Sequence, residues 1–290
     1  MATFEDFKPL RNKIRNFDAE KLLILVASIL HRAQGMESEM VSAFPPWDLM
    51  LLIKWTLMHG NFNSTKKAPT QKDVLVMLSM VGGLQDQEYL SSKPFGINML
   101  LKNLAFQQFW YDRDLSTADL GRQCKLFLEL LPPKFADNMF QSHLGIPRET
   151  FFALAYSLAT RFAEPSSDIF VAKKFFDPVR HAYSHDAVDK FLSLLSCKLE
   201  GIKNYLQQDD ARLRDFDSKL YSQTPLRRKP LLELQDKYLC YSPNVLNNAL
   251  STLAYDTFKE KSADRFTEKF GEAFERYLQE GLIYGGLTFL

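Results

Sequence analysis

The segment Leu226–Leu290 reads LRRKPLLELQDKYLCYSPNVLNNALSTLAYDTFKEKSADRFTEKFGEAFERYLQEGLIYGGLTFL. Two apolar runs, Leu231–Leu234 and Tyr238–Tyr241, are short enough to be two strands around QDK, or simply extended chain. Ser242 followed by Pro243 supplies a cap and a first helical position for NVLNNALSTLAYDTF. From about Ser262 to Gln279, Phe266, Phe270, Ala273, Phe274 and Tyr277 fall on one helical face. The closing LIYGGLTFL reads as a Gly-Gly hairpin, or as a first sheet strand with a turn. Period-two patterning therefore enters only as the chain ends.

Upstream the period is helical. Phe4, Phe7, Leu10 and Ile14 recur at helical spacing, and Asp18 can cap a second helix whose body, LLILVASIL, is apolar nearly all round. In PPWDLMLLIKWTLMHG, Trp47, Leu51, Trp55 and Met58 form one stripe that Gly60 ends. The loop NFNSTKKAPTQKD leads to a capping arrangement of Thr70 and Asp73 ahead of VLVMLSMVGG. NMLLKNLAFQQFWYDRD is helical by pattern, and Ser116 with Asp119 repeats the cap before LGRQCKLFLELL, which stops at Pro132-Pro133. Gly145 and Pro147 precede RETFFALAYSLATRF, and Ser184 or Asp186 can cap a longer helix in which Gly201 is a tolerated weakness or a break. No stretch from Met1 to about Leu220 sustains period-two alternation. The expected fold is mostly α: an extended multi-helix array over 1–220 and a small C-terminal α+β portion over 221–290.

Composition narrows the classes. A content of 46% hydrophobic and 24% charged residues is that of a folded protein. Lys+Arg of 36 against Asp+Glu of 35 leaves no whole-molecule field for nucleic acid or anionic membrane, so such binding needs a local patch. Cys124, Cys197 and Cys240 are far apart and unpaired by spacing, which points to free thiols and a reducing, cytoplasmic setting. No apolar run reaches the ~20 residues of a membrane span, and no P-loop, G-x-G-x-x-G or G-x-S-x-G motif occurs.

Three constellations could carry chemistry. In RHAYSH, Arg180 and His185 are separated by four residues just ahead of a helix. A histidine can shuttle a proton at a ribose hydroxyl while an arginine stabilises phosphate charge. The same residues equally make a helix cap with a polar first turn. His181 and His185, with Asp177 or Asp189, have the spacing of metal ligands, but H-E-x-x-H is not present and no metal site is expected. The Arg227-Arg228-Lys229 cluster, with Arg212 and Arg214 upstream, could contact a phosphate backbone or be a solvated linker among Asp209, Asp210, Asp215 and Asp217. Lys66 and Lys67 carry the same ambiguity. In GEAFERYL, Glu275, with Glu272 its competitor, is either a solvated helix residue or a functional carboxylate.

Two resemblances rest on these residues. The Arg180-x4-His185 spacing resembles the signature of HEPN ribonucleases, which implies metal-independent RNA cleavage by that pair, usually across a dimer. The order AFQQFWYDRD, GRQCKLFLELL, KYLCYSPNVL and GEAFERYL resembles the helical regions that precede PD-(D/E)xK nuclease domains in bacterial antiphage and restriction-type proteins. By that resemblance Glu275 matches the early helix carboxylate, and Mg²⁺ would be the cofactor of the nuclease domain. The pattern departs where it matters for catalysis, because Asp followed by Glu-x-Lys does not occur in the 15 residues after Glu275. The expectation is a sensing, assembly or regulatory region that acts with a nuclease, with no cofactor of its own and a protein partner or its own oligomer, in which 221–290 could be the start of a truncated nuclease-like domain. A HEPN-like ribonuclease and a helical protein-binding scaffold are the alternatives.

Overall fold

The computed structural model describes residues 3–33, 45–62, 65–91, 117–163, 168–212, 220 and 224–284. Among them are twelve α-helices and a four-stranded sheet, so the fold is mostly α with a small α+β portion. In order the elements are α1 (Phe4–Arg15), α2 (Ala19–Ala33), α3 (Pro46–His59), α4 (Gln71–Ser91), α5 (Ala118–Cys124), α6 (Pro133–His143), α7 (Arg148–Arg161), β1 (Phe170–Ala172), α8 (Asp177–Ala182), α9 (His185–Leu195), β2 (Ser196–Lys198), α10 (Leu199–Asp210), β3 (Leu231–Glu233), β4 (Lys237–Cys240), α11 (Pro243–Lys261) and α12 (Ala263–Tyr284). Two compact units interleave along the chain. The first takes 1–114, 164–172 and 196–246, and the second takes 115–163, 173–195 and 247–290. The expected boundary near residue 220 falls inside the first unit.

In the first unit α3 is the centre. Its side chains from Leu49 to Leu57 are buried around the whole circumference, because α1, α2, α4 and α10 all pack on it. The single expected stripe is therefore too narrow: Trp55 is buried and Trp47 half-buried, as core residues of an enclosed helix. The caps read from sequence form. Asp18 Oδ1 accepts from the Lys21 N–H at 3.1 Å, and Thr70 and Asp73 exchange bonds of 3.0 and 3.3 Å at the start of α4. At Gly60 any Cβ would lie 2.6 Å from Ala19 Cβ and 2.5 Å from the Thr56 carbonyl oxygen, so the close approach of the α3 end to α2 requires glycine.

The sheet has the order β1-β4-β3-β2. Of the two readings for Leu231–Leu234 and Tyr238–Tyr241, strands or extended chain, the structure has strands: β3 and β4 pair antiparallel, with Leu232 opposite Leu239, and β1 pairs antiparallel with the far side of β4. β2 runs parallel to β3, Cys197 opposite Leu232, and α10 begins the crossover between them. β1 and β2 correct the expectation that 1–220 is wholly helical. Each is three residues long, too short for alternation to register, and each exists only through main-chain pairing with residues far along the chain. β2 also interrupts the expected long helix. Ser184 Oγ caps α9 by accepting from the Ala187 N–H at 3.1 Å, but the backbone leaves the helix at Ser196, and Gly201 lies harmlessly inside α10.

The second unit is held by aromatic rings. Phe127, Phe140, Phe151, Phe152, Phe258 and Phe266 pack with T-shaped and tilted geometries, Phe140 and Phe258 at 5.0 Å. α5 continues as a π-helical turn, Lys125–Leu130, and ends before Pro132-Pro133 as expected. Gly145 takes a positive φ of 69° at the turn into α7. α11 starts on residues of the first unit, where Ser242 Oγ accepts from the Val245 N–H at 3.2 Å, as read from sequence. α12 reaches Tyr284, so Leu282–Tyr284 is helix and not the expected strand; a continuous helical ladder extends the amphipathic pattern past Gly281. The expected helix over 98–114, the Ser116 cap, Arg214, Asp215, Asp217 and the Gly-Gly turn with its strand over 285–290 lie outside the described residues.

Two sets of buried charges in the first unit generate predictions. Lys54 Nζ, 1% exposed in α3, meets Asp210 Oδ1 of α10 at 2.6 Å. Removing one partner strands the other, so Lys54→Met should cost ~3 kcal/mol or more in urea unfolding, and Lys54→Met/Asp210→Leu should recover most of it.

Burial pushes the Asp48 carboxyl up to about 6, against a stabilising bond from Gln85 at 2.9 Å. Burial, then the charges of Arg15 and Arg11, push His59 down to about 4. The raised acid contributes stability that is present below pH ~4 and lost as pH rises through about 6. The depressed histidine contributes stability that is present above pH ~6.5 and lost as pH falls through about 4. The two oppose each other in one window. Relative to wild type, unfolding free energy should rise with pH between about 4 and 6 in Asp48→Asn and fall in His59→Gln, each by up to roughly 1.4 kcal/mol per pH unit.

Candidate functional site

The RHAYSH stretch spans the end of α8 and the start of α9, in the second unit. Arg180 is the anchor of this corner. Its Nη1 donates to the Lys173 carbonyl at 3.2 Å and to Asp177 Oδ1 at 3.1 Å, and its Nη2 donates to Asp189 Oδ1 at 2.9 Å. The guanidinium is mostly buried while both carboxylates are well exposed. Asp189 foremost, against the cost of burial and with help from Asp177, raises its already high pKa. It is thus a compensated cation that joins α8 to α9.

His185 is the first residue of α9 and is exposed, as is His181. Asp189 lies four residues after His185, one turn on along the same helical face. The Arg180–Asp189 bond therefore brings the guanidinium to the side of α9 that carries the imidazole. Among the described residues no hydrogen bond joins Arg180 to His185, and no group of three or more His, Cys, Asp or Glu is arranged to hold a metal ion.

Glu275 is exposed on α12, and its competitor Glu272 pairs with Lys269 at 2.8 Å. The face read from sequence needs one correction. Phe266 and Ala273 are buried, and Phe270 and Tyr277 half-buried, whereas Phe274 is 43% exposed. The inward stripe follows the i, i+4, i+7, i+11 rows, and Phe274 falls beside it. Leu278, 47% exposed, continues the outer row from Phe274. α12 is fixed to the π-helical turn by Arg276, which donates to the Leu130 carbonyl, and by Lys125, which bridges Glu129 and Glu280 at 2.6 and 3.1 Å. Glu275 belongs to no group of three or more His, Cys, Asp or Glu that could hold a metal ion among the described residues.

The Arg227-Arg228-Lys229 cluster is not one open patch. Arg227 and Lys229 are half-buried and only Arg228 is exposed, on a short 3₁₀ turn that Thr224 caps and Tyr205 holds through the Pro225 carbonyl at 3.2 Å. Burial pushes the Lys229 ammonium pKa down, with Cys197 opposing. Arg212 is exposed at the end of α10. Lys66 donates to the Arg15 carbonyl, and Lys67 pairs through its backbone beside Phe17, so this loop closes the gap between α1 and α2.

A different set of cations acts on His59, the last residue of α3. Arg15 Nε donates to the His59 carbonyl at 3.3 Å, the His59 ring lies 5.4 Å from that of Phe7, and Arg11 and Lys203 also act on this imidazole. Sequence reading missed this group because its members come from α1, α3 and α10. The one local signal was Arg11 and Arg15 at i, i+4 with no acid in the intervening turn.

No protein family, curated protein or solved structure matches the chain. No helix among the described residues is long and apolar enough to cross a membrane.

If Arg180 is the brace between α8 and α9, Arg180→Ala should lower stability in denaturant unfolding by ~1 kcal/mol. Arg180→Lys should recover less than half, because an ammonium cannot span both carboxylates and the carbonyl.

Proposed function

We propose that the chain is a sensing, assembly or regulatory helical region of a bacterial antiviral-defence protein that acts with a nuclease in the cytoplasm. The order of its sequence stretches supports this reading, and one structural observation carries it. The GEAFERYL helix, singled out by that resemblance, presents Phe274 and Leu278 to solvent on either side of Glu275, at the i, i+4 spacing that suits contact with another protein surface. Magnesium, on this reading, belongs to the nuclease and not to this region. The test is phage infection of bacteria that express the native locus, with or without Phe274→Asp/Leu278→Asp. Protection by the native locus, lost in the double variant while the protein remains folded and abundant, is the expected result. Protection that is indifferent to the double variant would sink the role given to this face.

A second reading, a HEPN-like ribonuclease, is favoured by one observation: Asp189 draws Arg180 to the helical face that carries the exposed His185. There the imidazole would move the proton of a ribose hydroxyl, and Arg180 would have to exchange a carboxylate for phosphate. The purified chain should therefore be assayed on labelled RNA and DNA, with Mg²⁺ or EDTA, beside His185→Ala and Glu275→Ala. The leading reading expects no cleavage by the chain alone. RNA cleavage that survives EDTA and vanishes in His185→Ala would replace it with the ribonuclease.

A further inference from the structure

We infer that the outer face of α12 docks a basic amphipathic helix of a partner protein. The inference rests on the proposed reading of that face as a contact surface and gives the contact its chemistry. Two parallel rows make up the face. Thr267, Gly271, Phe274 and Leu278 succeed one another at i, i+4, i+7 and i+11, outside the inward stripe of α12. Phe274 and Leu278 are the exposed apolar pair of this row. The Phe274 ring stacks on Phe270 at 6.5 Å and on Tyr277 at 6.3 Å, and Phe270 lies 5.7 Å from Phe127 in the ring core. The anchor is therefore held in place before a partner arrives, which lowers the ordering cost of binding. Beside it, a Cβ added at Gly271 would meet nothing within 4 Å among the described residues, so a partner side chain has room there.

Asp264, Glu268 and Glu275, all exposed, run along the outer edge of the apolar row at i, i+4 and i+11. Asp264 and Glu275 make no ion pair among the described residues, and Glu268 shares Lys269 with Glu272, at 3.6 and 2.8 Å. The arginines of α12 are committed elsewhere: Arg276 donates to the Leu130 carbonyl, and Arg265 covers the Phe135 ring at 5.5 Å. This charge pattern selects the occupant. Nucleic acid or an anionic membrane surface would meet a row of its own sign. A second copy seated on the same patch about a two-fold axis would set acid near acid. A helix with apolar residues at i and i+4 and lysines or arginines along one edge satisfies both rows at once, its anchors on Phe274 and Leu278 and its cations on Asp264, Glu268 and Glu275. From Thr267 to Leu278 the apolar row is about 16 Å long, roughly three turns of such a helix.

The test is fluorescence anisotropy of a labelled synthetic helix of ~18 residues, leucines on one face and lysines on the other, titrated with the full chain beside a twin carrying glutamate for every lysine. The lysine peptide should bind and the glutamate peptide should not. Phe274→Ser/Leu278→Ser should weaken binding by roughly tenfold or more. Asp264→Asn/Glu268→Gln/Glu275→Gln should weaken it by roughly fivefold and make it less sensitive to salt. Glu200→Gln/Asp236→Asn, which removes exposed acids of the first unit, should change neither. Circular dichroism checks that each variant folds. Equal binding of the two peptides, no binding of either, or wild-type affinity in the acid triple variant overturns the inference. Sedimentation in which wild type self-associates and Phe274→Ser/Leu278→Ser does not would also overturn it, and assign a second copy. Phage protection lost in Phe274→Asp/Leu278→Asp but kept in the acid triple variant would overturn the basic partner alone and leave the contact face standing.

Discussion

A charge in the middle of an apolar helix sets the main constraint on the first unit. α3 is enclosed by other elements on every side, yet it carries Lys54 at 1% exposure. An ammonium so placed loses its hydration at a cost of several kcal/mol, which only a well-aligned anion offsets. Asp210 is that anion, and it stands on the last turn of α10. α10 therefore has to lie along α3, and its own hydrophobic residues, Ile202 and Leu206, are buried in the same core. The pairing also fixes where the chain can go before and after α10. β2 lies immediately ahead of it and the 3₁₀ turn, β3 and β4 follow it, so the small sheet is assembled next to a helix already held by a buried ion pair.

That sheet shows how little local preference a strand needs when its partners are supplied. β1 and β2 have three residues each. Neither has a pattern that separates it from the neighbouring helices, and each borrows its conformation from the β3–β4 hairpin, which does have a local signature. His31 adds a tie from α2, its Nε2–H donating to the Cys240 carbonyl at 2.9 Å where β4 ends. The second unit depends instead on ring packing, in which Phe127 of the π-helical turn touches Phe140, Phe152, Phe258, Phe266 and Phe270. Widening the last turn to π geometry moves side chains off the α-helical rows, and Phe127 occupies that offset place.

The candidate sites divide along the same line. Arg180 and His185 were legible as a pair because their spacing is local. What decides their chemistry was not, since Asp177 and Asp189 occupy the guanidinium only after α8 folds against α9. Arg227 and Lys229 looked like an open cationic run, but packing of the 3₁₀ turn against Tyr205 half-buries both. The cations that act on His59 were invisible in sequence because α1, with Arg11 and Arg15, and α10, with Lys203, must both pack on α3 before they come near that imidazole.

By itself the sequence determined the helices whose start signals are local: Asp18, Thr70, Ser184 and Ser242 each accept a backbone N–H as their positions imply, whereas the runs Leu231–Leu234 and Tyr238–Tyr241 read equally as strands or extended chain until their pairing decided it. It determined as well that the fold is mostly α, because helical periodicity dominates the chain. Only the tertiary structure decided that Leu195 ends a helix and Ser196 begins a strand, that the two units interleave, that Phe274 stays outside, and which cations meet carboxylates. These outcomes depend on pairings between residues distant in the chain, whose energies are gained only on contact and leave no periodic trace in the residues that make them.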